Sequence, residues 1–335
     1  MKSGDRNIVF TGIQPSGIIH IGNYVGAIRG LRELIEKHTS YCCIVDYHAM
    51  TVPYDVSEFS NHILDAATVN LACGIDPDKA VLYVQSDVPQ HTELQWLLSC
   101  LTPLGLASRM AQFKEKSRRQ KESVCIGLLT YPILQAADIL LYKANLVPVG
   151  QDQVQHIEFS RDLARAFNQR YGDCFPEPEA ILGETPKILG TDGNDKMSKS
   201  LNNYIAVTES KEEIWKKLRP AKTDEARKRK NDPGEPTRCN IFTIHRAFSR
   251  SETNEDIISH CRAGTIGCID CKRRLLESMV EELTPIRERY LALRKSPKQV
   301  EEILATGAST AREVAMETME QARELVGIRP IPRQR

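Results

Sequence analysis

The sequence predicts an α/β protein, a doubly wound, Rossmann-like parallel sheet with a helical insertion, followed by an all-α C-terminal region. Three observations carry that reading. Apolar runs at 8–10, 41–46, 79–86 and 145–150 alternate with segments of helical periodicity, and strands separated by helices pair in parallel. From about residue 201 no strand-like alternation returns. A turn punctuated by glycines at 11–23 joins the first strand to the first helix, where a parallel sheet presents ligands to its carboxyl edge.

Ile8-Val9-Phe10 reads as a short buried strand. Tyr24, Ile28, Leu31 and Ile35 recur as the stripe of an amphipathic helix. Between them, Gly12, Gly17 and Gly22 would let a ligand approach the backbone, with Gln14, Pro15 and Ser16 alongside. A helix start offers unpaired N–H groups and a positive dipole end, a seat for phosphate, and His20 and Asn23 add side-chain donors there. The stretch matches neither GxGxxG nor GxxxxGK[ST], so by pattern alone it is a first βα turn. The second strand ends in Asp46-Tyr47-His48, polar groups at the ligand-facing edge. A helix is read over 54–71, and 90–143 is helical and carries Trp96 and Lys116.

Asp138 stands among Ala136, Ala137, Ile139, Leu140 and Leu141. A carboxylate on so apolar a helix is costly to bury unless paired or hydrogen-bonded. Its functional reading is an acceptor for a single N–H of an apolar ligand; indole has one such donor and no acceptor. The fourth strand, 145–150, ends at Gly150, and Gln151-Asp152-Gln153 opens a second ligand-facing turn leading into a helix through His156 to Phe167. At 193–200, Gly-Asn-Asp-Lys-Met-Ser-Lys-Ser places Lys196 and Lys199 on a loop, where lysines can neutralise a pyrophosphate leaving group. Helices are read over 211–218, 272–295 and 299–327, the first long one with its apolar face broken at Pro285. The loop at 222–230 is basic.

The chain has 335 residues, enough for two domains, and its 45 basic and 44 acidic residues leave a net charge of +1. That balance excludes a bulk polycation but not an RNA partner met by local basic stretches. No apolar run of membrane length and no signal-peptide h-region occurs, so a cytoplasmic location without membrane association is expected. Of ten cysteines, Cys42, Cys43, Cys73, Cys100, Cys125 and Cys174 lie among apolar residues and are expected to be core thiols. Cys239, Cys261, Cys268 and Cys271 form a C-x21-C-x6-C-x2-C cluster, which suits either zinc or an iron–sulfur centre.

His20-Ile21-Gly22-Asn23 resembles the HIGH signature of class I aminoacyl-tRNA synthetases, and Lys196-Met197-Ser198-Lys199-Ser200 resembles their KMSKS signature. The unbroken string 12–27, with 45–51 and 146–167, is similar to the tryptophanyl-tRNA synthetase family. That resemblance implies L-tryptophan, ATP with Mg2+ and tRNA(Trp) as ligands, a homodimer, and a dimerisation insertion at about 90–143. It implies ATP contacts at Gln14, Pro15, Ser16, Gly22, Asn23, Gly150, Asp152, Lys196, Met197, Ser198 and Lys199. It implies a tryptophan pocket of Phe10, His48, Tyr131, Gln135, Asp138, Val147, Val149 and Gln153. His20, Asn23, Lys116, Lys196 and Lys199 are the catalytic residues by the same token. Gln135 departs from the methionine, and Gln151 from the glutamate, common in relatives. A bacterial subset of the family carries a 4Fe–4S cluster on nearly the cysteine spacing found here, so the resemblance selects iron–sulfur over zinc.

The expected division is a catalytic domain at 1–200 and a helical anticodon-binding domain at 201–335, whose last helix is able to fold back on the first. Two other functions stand against this reading. One is a tyrosine-tRNA ligase of the same class, which also uses a pocket aspartate. The other is a non-catalytic RNA-binding iron–sulfur protein on a synthetase-like scaffold, against which the intact His20, Asn23, Lys196 and Lys199 argue.

Overall fold

A computed structural model describes residues 7–15, 18–110, 124–183, 188–198 and 201–328. Its centre is one parallel sheet of five strands: β1 (Ile8–Ile13), β2 (Thr39–Ile44), β3 (Ala80–Val84), β4 (Leu146–Val149) and β5 (Glu179–Leu182), in the order β3-β2-β1-β4-β5. Pairing runs from Ile8 opposite Thr39 to Ile13 opposite Ile44, and from Ser40 opposite Ala80 to Ile44 opposite Val84. Because β2 is covered on both faces, its last five residues are buried, which is why it reads as a continuous apolar run.

The chain builds β1, β2 and β3 in one direction, then crosses back so that β4 and β5 extend the sheet on the other side of β1. Connections therefore diverge between β1 and β4, and that divergence opens a crevice at the carboxyl ends of the strands. β5 has no counterpart in the sequence reading. It is a short edge strand of only two large apolar residues, entered from Pro176 and Pro178, and neither face carries an alternating pattern.

The helical region shares a core with the sheet. Ile21, Tyr24, Val25 and Ile28 pack with Ile205, Val207, Ile214, Leu218, Leu275 and Met279 in one apolar cluster. Within the first helix, Tyr24–Ile28 forms a π-helical turn, a geometry that recurs at functional sites. Beside it, the Tyr24 hydroxyl and the Arg29 guanidinium both donate to Glu282 at 2.8 Å. Pro285 breaks neither its helix, as read, nor the apolar face, which the sequence reading ended there. Cys268–Arg294 runs through it, held by Leu283 and Ile286 buried on either side. Cys100 and Cys125 are exposed rather than core thiols: they occupy the ends of helices, Cys100 as C-cap and Cys125 as N-cap. Among the described residues no helix is long and apolar enough to cross a membrane.

The helix Pro297–Leu325 lies against β3 at the edge of the sheet. Its buried face is a stripe of small residues, Gly307, Ala308, Ala311, Ala315 and Ala322, so the backbones meet closely. A Cβ on Gly307 would collide with the carbonyl of Leu82. Gly307→Ala is therefore expected to destabilise the protein by about 1–3 kcal/mol, the ordinary cost of overpacking, despite alanine's better helix propensity. A denaturant midpoint lowered at unchanged slope would show it.

Candidate active site

At the carboxyl end of β1 the chain turns through Gln14 and buried Pro15 to His20, which starts the first helix. His20 Nδ1 accepts from the Asn23 amide at 3.2 Å, and Asn23 Oδ1 accepts from the His20 amide at 3.4 Å, a reciprocal cap. His20 is buried, and burial followed by the charge of Lys196 holds its imidazole down at about 4. At neutral pH it is an uncharged hydrogen-bonding group. Asn23 is exposed.

Lys196 reaches His20 because the two segments are bound together by backbone. The Ile21 amide donates to the Ile205 carbonyl at 2.9 Å and the Val207 amide to the Ile19 carbonyl at 3.0 Å. The intervening loop is organised by Asn203, which is only 3% exposed. Its Oδ1 accepts from the Ser198 amide at 2.8 Å, and its Nδ2 donates to Asp192 Oδ2 at 2.8 Å and to the Lys196 carbonyl at 3.3 Å. Gly190 leaves the room this needs, since a Cβ there would overlap the Asn203 amide. Met197 is buried in the apolar cluster with Ile21, so what it can offer a ligand is backbone.

The second group of candidates surrounds Asp138, which is 1% exposed on the Ile126–Leu140 helix. His48 Nε2 lies 2.8 Å from Oδ2, His91 Nδ1 lies 2.6 Å from Oδ1, and Gln85 Nε2 donates to Oδ1 at 2.7 Å. Burial pushes this carboxyl upward, but attraction to His91 and hydrogen bonds from His48 and His91 outweigh it and hold the group down at about 2. Asp138 is thus an ionised acceptor at neutral pH. Tyr131, two turns earlier on the same helical face, sits edge-on to His48 with ring centres 6.2 Å apart, and its hydroxyl is 2.8 Å from His156 Nε2. Gln135 is half-buried on that same face, and Phe10 and Val147 are buried in the same apolar cluster, with Val149 packed against it. At the end of β4, Gly150 and Asp152 are exposed, and Gln153 Nε2 donates to Asp152 Oδ2 at 3.0 Å.

Ser16, Lys116 and Lys199 lie outside the described residues. His91, Gln85 and Asn203 are the partners that sequence reasoning missed. None belongs to a recognisable spacing, and the available signal was polar residues in otherwise apolar surroundings.

The four clustered cysteines line one small cavity together with Thr223, Asp224, Arg227, Ile241 and Ile266. Arg227 Nη1 lies 3.9 Å from Cys261 Sγ and 3.8 Å from Cys268 Sγ. Burial, then the neighbouring thiols, push Cys271 up to about 12. Among the described residues no three His, Cys, Asp or Glu side chains converge as ligands of a single metal ion.

The family described as class I tRNA synthetases (W and Y) matches residues 2–284. The tryptophan–tRNA ligase of Deinococcus radiodurans is 48% identical over 324 residues, covering 95% of this chain and 98% of its own. That of Thermotoga maritima is 42% identical, covering 96% and 99%. The chain belongs to the class I tryptophanyl-tRNA synthetases. Its activity is that of a tryptophan–tRNA ligase. The Campylobacter jejuni tryptophanyl-tRNA synthetase solved with ADP and tryptophan superposes with a TM-score of 0.86 at 39% identity, over 96% of this chain and 99% of that one. A tyrosyl-tRNA synthetase of Archaeoglobus fulgidus, 22% identical with a TM-score of 0.68, shares the fold.

Asn203→Ala leaves the Ser198 amide and the Lys196 carbonyl without their partner. In this synthetase it should slow single-turnover adenylate formation by roughly 10- to 100-fold, as expected for a misplaced catalytic segment. Tryptophan affinity, read by equilibrium binding, should change little.

Proposed function

We propose that the site activates L-tryptophan in line on ATP, with the residues above in the following roles. The tryptophan carboxylate oxygen attacks the α-phosphorus, the bond to the β,γ-diphosphate breaks, and tryptophanyl-adenylate and diphosphate form. The terminal ribose hydroxyl of tRNA(Trp) then attacks the adenylate carbonyl, and AMP leaves. No residue need become covalently attached; positioning and charge stabilisation suffice. Gln14, Pro15, Ser16, Gly22 and Asn23 receive nucleotide and phosphates, with His20 as a neutral hydrogen-bonding partner. Gly150 lets the ribose approach Asp152, and Lys116, Lys196 and Lys199 offset charge developing on the diphosphate, which Mg2+ accompanies. Asp138 accepts the indole N–H in a pocket of Phe10, His48, Tyr131, Gln135, Val147 and Val149, and Gln153 meets the substrate amine.

The observation that carries this reading is the backbone pairing of 19–21 with 205–207, which holds His20 and Lys196 at one crevice. Tryptophan-dependent exchange of labelled diphosphate into ATP tests it. Exchange with tyrosine in place of tryptophan, or none with either, would overturn it. Lys196→Ala should lower the rate of adenylate formation while tryptophan affinity stays within a few-fold, since the lysine acts on the leaving group. Pre-steady-state quench measurements separate the two.

The division at about residue 200 into a catalytic and a tRNA-binding region belongs to the same proposal, as do cytoplasmic location and a homodimer. Trp96 (69% exposed), Leu104 (72%) and Ile126 (75%) support an intersubunit face on the helical insertion.

Cys239, Cys261, Cys268 and Cys271 would hold a 4Fe–4S cluster. The fit rests on the four thiols lining one small cavity, a donor set that suits an iron–sulfur cluster or zinc, between which the family resemblance selects the cluster. It rests also on Gly234, whose Cβ would approach Cys261 Sγ to 2.8 Å, and on the buried Arg227 Nε, which has no hydrogen-bond partner. Bound there, the cluster supplies a rigid cross-link between the 227–239 segment and the helices carrying the other three ligands, beside the basic loop offered to the tRNA. Protein purified anaerobically should be brown and contain iron and acid-labile sulfide, and Cys268→Ser should lose both. Stoichiometric zinc without sulfide would favour the alternative metal.

A further inference from the structure

We infer that His91 is the positioning residue through which this site selects an indole N–H: it fixes which lone pair of Asp138 is left for the ligand. The inference rests on the reading of Asp138 as the indole acceptor. His91 is fully buried on the Gln90–Ser99 helix. Its Nδ1 lies 2.6 Å from Asp138 Oδ1, the oxygen that also accepts from Gln85. An ionised carboxylate offers about four lone-pair sites. Gln85 and His91 fill those of Oδ1, and His48 takes one of Oδ2. One acceptor site remains, on Oδ2. A group in that state takes a single donor and cannot itself donate.

The imidazole is clamped on its far side too. Its Nε2 lies 2.9 Å from the Tyr142 hydroxyl and 3.3 Å from that of Tyr83. With the proton on Nδ1, Nε2 accepts from Tyr142 while Nδ1 donates to Asp138. Tyr142 in turn stacks on Tyr41, ring centres 4.4 Å apart, and faces Phe10 at 6.0 Å. The aromatic wall thus transmits its rigidity to the carboxylate through one histidine. Without His91, a lone pair of a buried carboxylate loses its donor. The group is then free to turn or to draw in water, and its preference for one ligand N–H falls.

A merely structural histidine would weaken all ligands of the pocket alike. A selecting one changes a ratio. The experiment measures dissociation constants of the full-length protein for L-tryptophan and for β-(benzothiophen-3-yl)-L-alanine, in which sulfur replaces the ring N–H. His91→Phe should cut the preference for tryptophan by roughly 10-fold or more, through weaker tryptophan binding with the sulfur analogue nearly unchanged. His91→Asn, whose Nδ2 falls where the imidazole Nδ1 does and keeps an N–H donor, should restore most of it. If His91→Phe does not fold, His91→Leu, which likewise carries no donor, is read in its place with the same expectation. Asp138→Asn is the control for the underlying reading. Should that variant keep the wild-type preference, the assignment of Asp138 itself falls. Should it lose the preference while the His91 variants keep theirs, or weaken both ligands equally, His91 is structural and the inference is overturned.

Discussion

Two backbone hydrogen bonds, from Ile21 to Ile205 and from Val207 to Ile19, tie the first turn of the chain to a segment that follows the whole sheet. The rest of the active site depends on them. They bring a lysine near enough for its charge to act on a histidine that caps a helix. They also make the apolar residues on either side, Ile21 and Tyr24 with Ile205 and Val207, one core with the helical region. The loop carrying Lys196 is therefore anchored at its base, and Asn203 uses its full side-chain amide to shape what lies above. The Lys196 segment is held by backbone hydrogen bonds and a buried amide.

The surroundings of Asp138 are built differently. There an ionised carboxylate is placed where almost no water reaches, and three donors from three separate elements keep it ionised. A half-satisfied network of this kind would cost more than an apolar wall. On the proposed reading, completing it all but one lone pair would turn that cost into selectivity for a ligand with one donor.

Much of this was legible in the sequence, for identifiable reasons. The first four strands are visible because parallel strands buried on both faces must be continuously apolar, and β2 shows that best. The fifth is not, since an edge strand can be short and half-polar. The signature turn and the lysine loop are visible because their glycines and closely spaced lysines break the apolar patterns around them. Asp138 stands out because a charge in an apolar helix demands explanation. His91, Gln85 and Asn203 do not: hydrogen-bond partners are chosen by proximity in the fold, and the partners of Asp138 come from positions 48, 85 and 91. Pro285 misleads only as to the apolar face, which Leu283 and Ile286 continue on either side of it.

The small-residue face that lets the Pro297–Leu325 helix settle on β3 has a consequence for how the molecule is made. β3 is an edge strand, and its cover is synthesised long after it leaves the ribosome. Until that helix arrives, the sheet presents an open edge of the sort that pairs with other chains. Nothing local can close it early, because the contact joins distant parts of the sequence and waits on slow loop closure. The nascent synthetase therefore passes through a stage in which its sheet is formed but its flank is bare, and the time spent there is set by translation of the helical region.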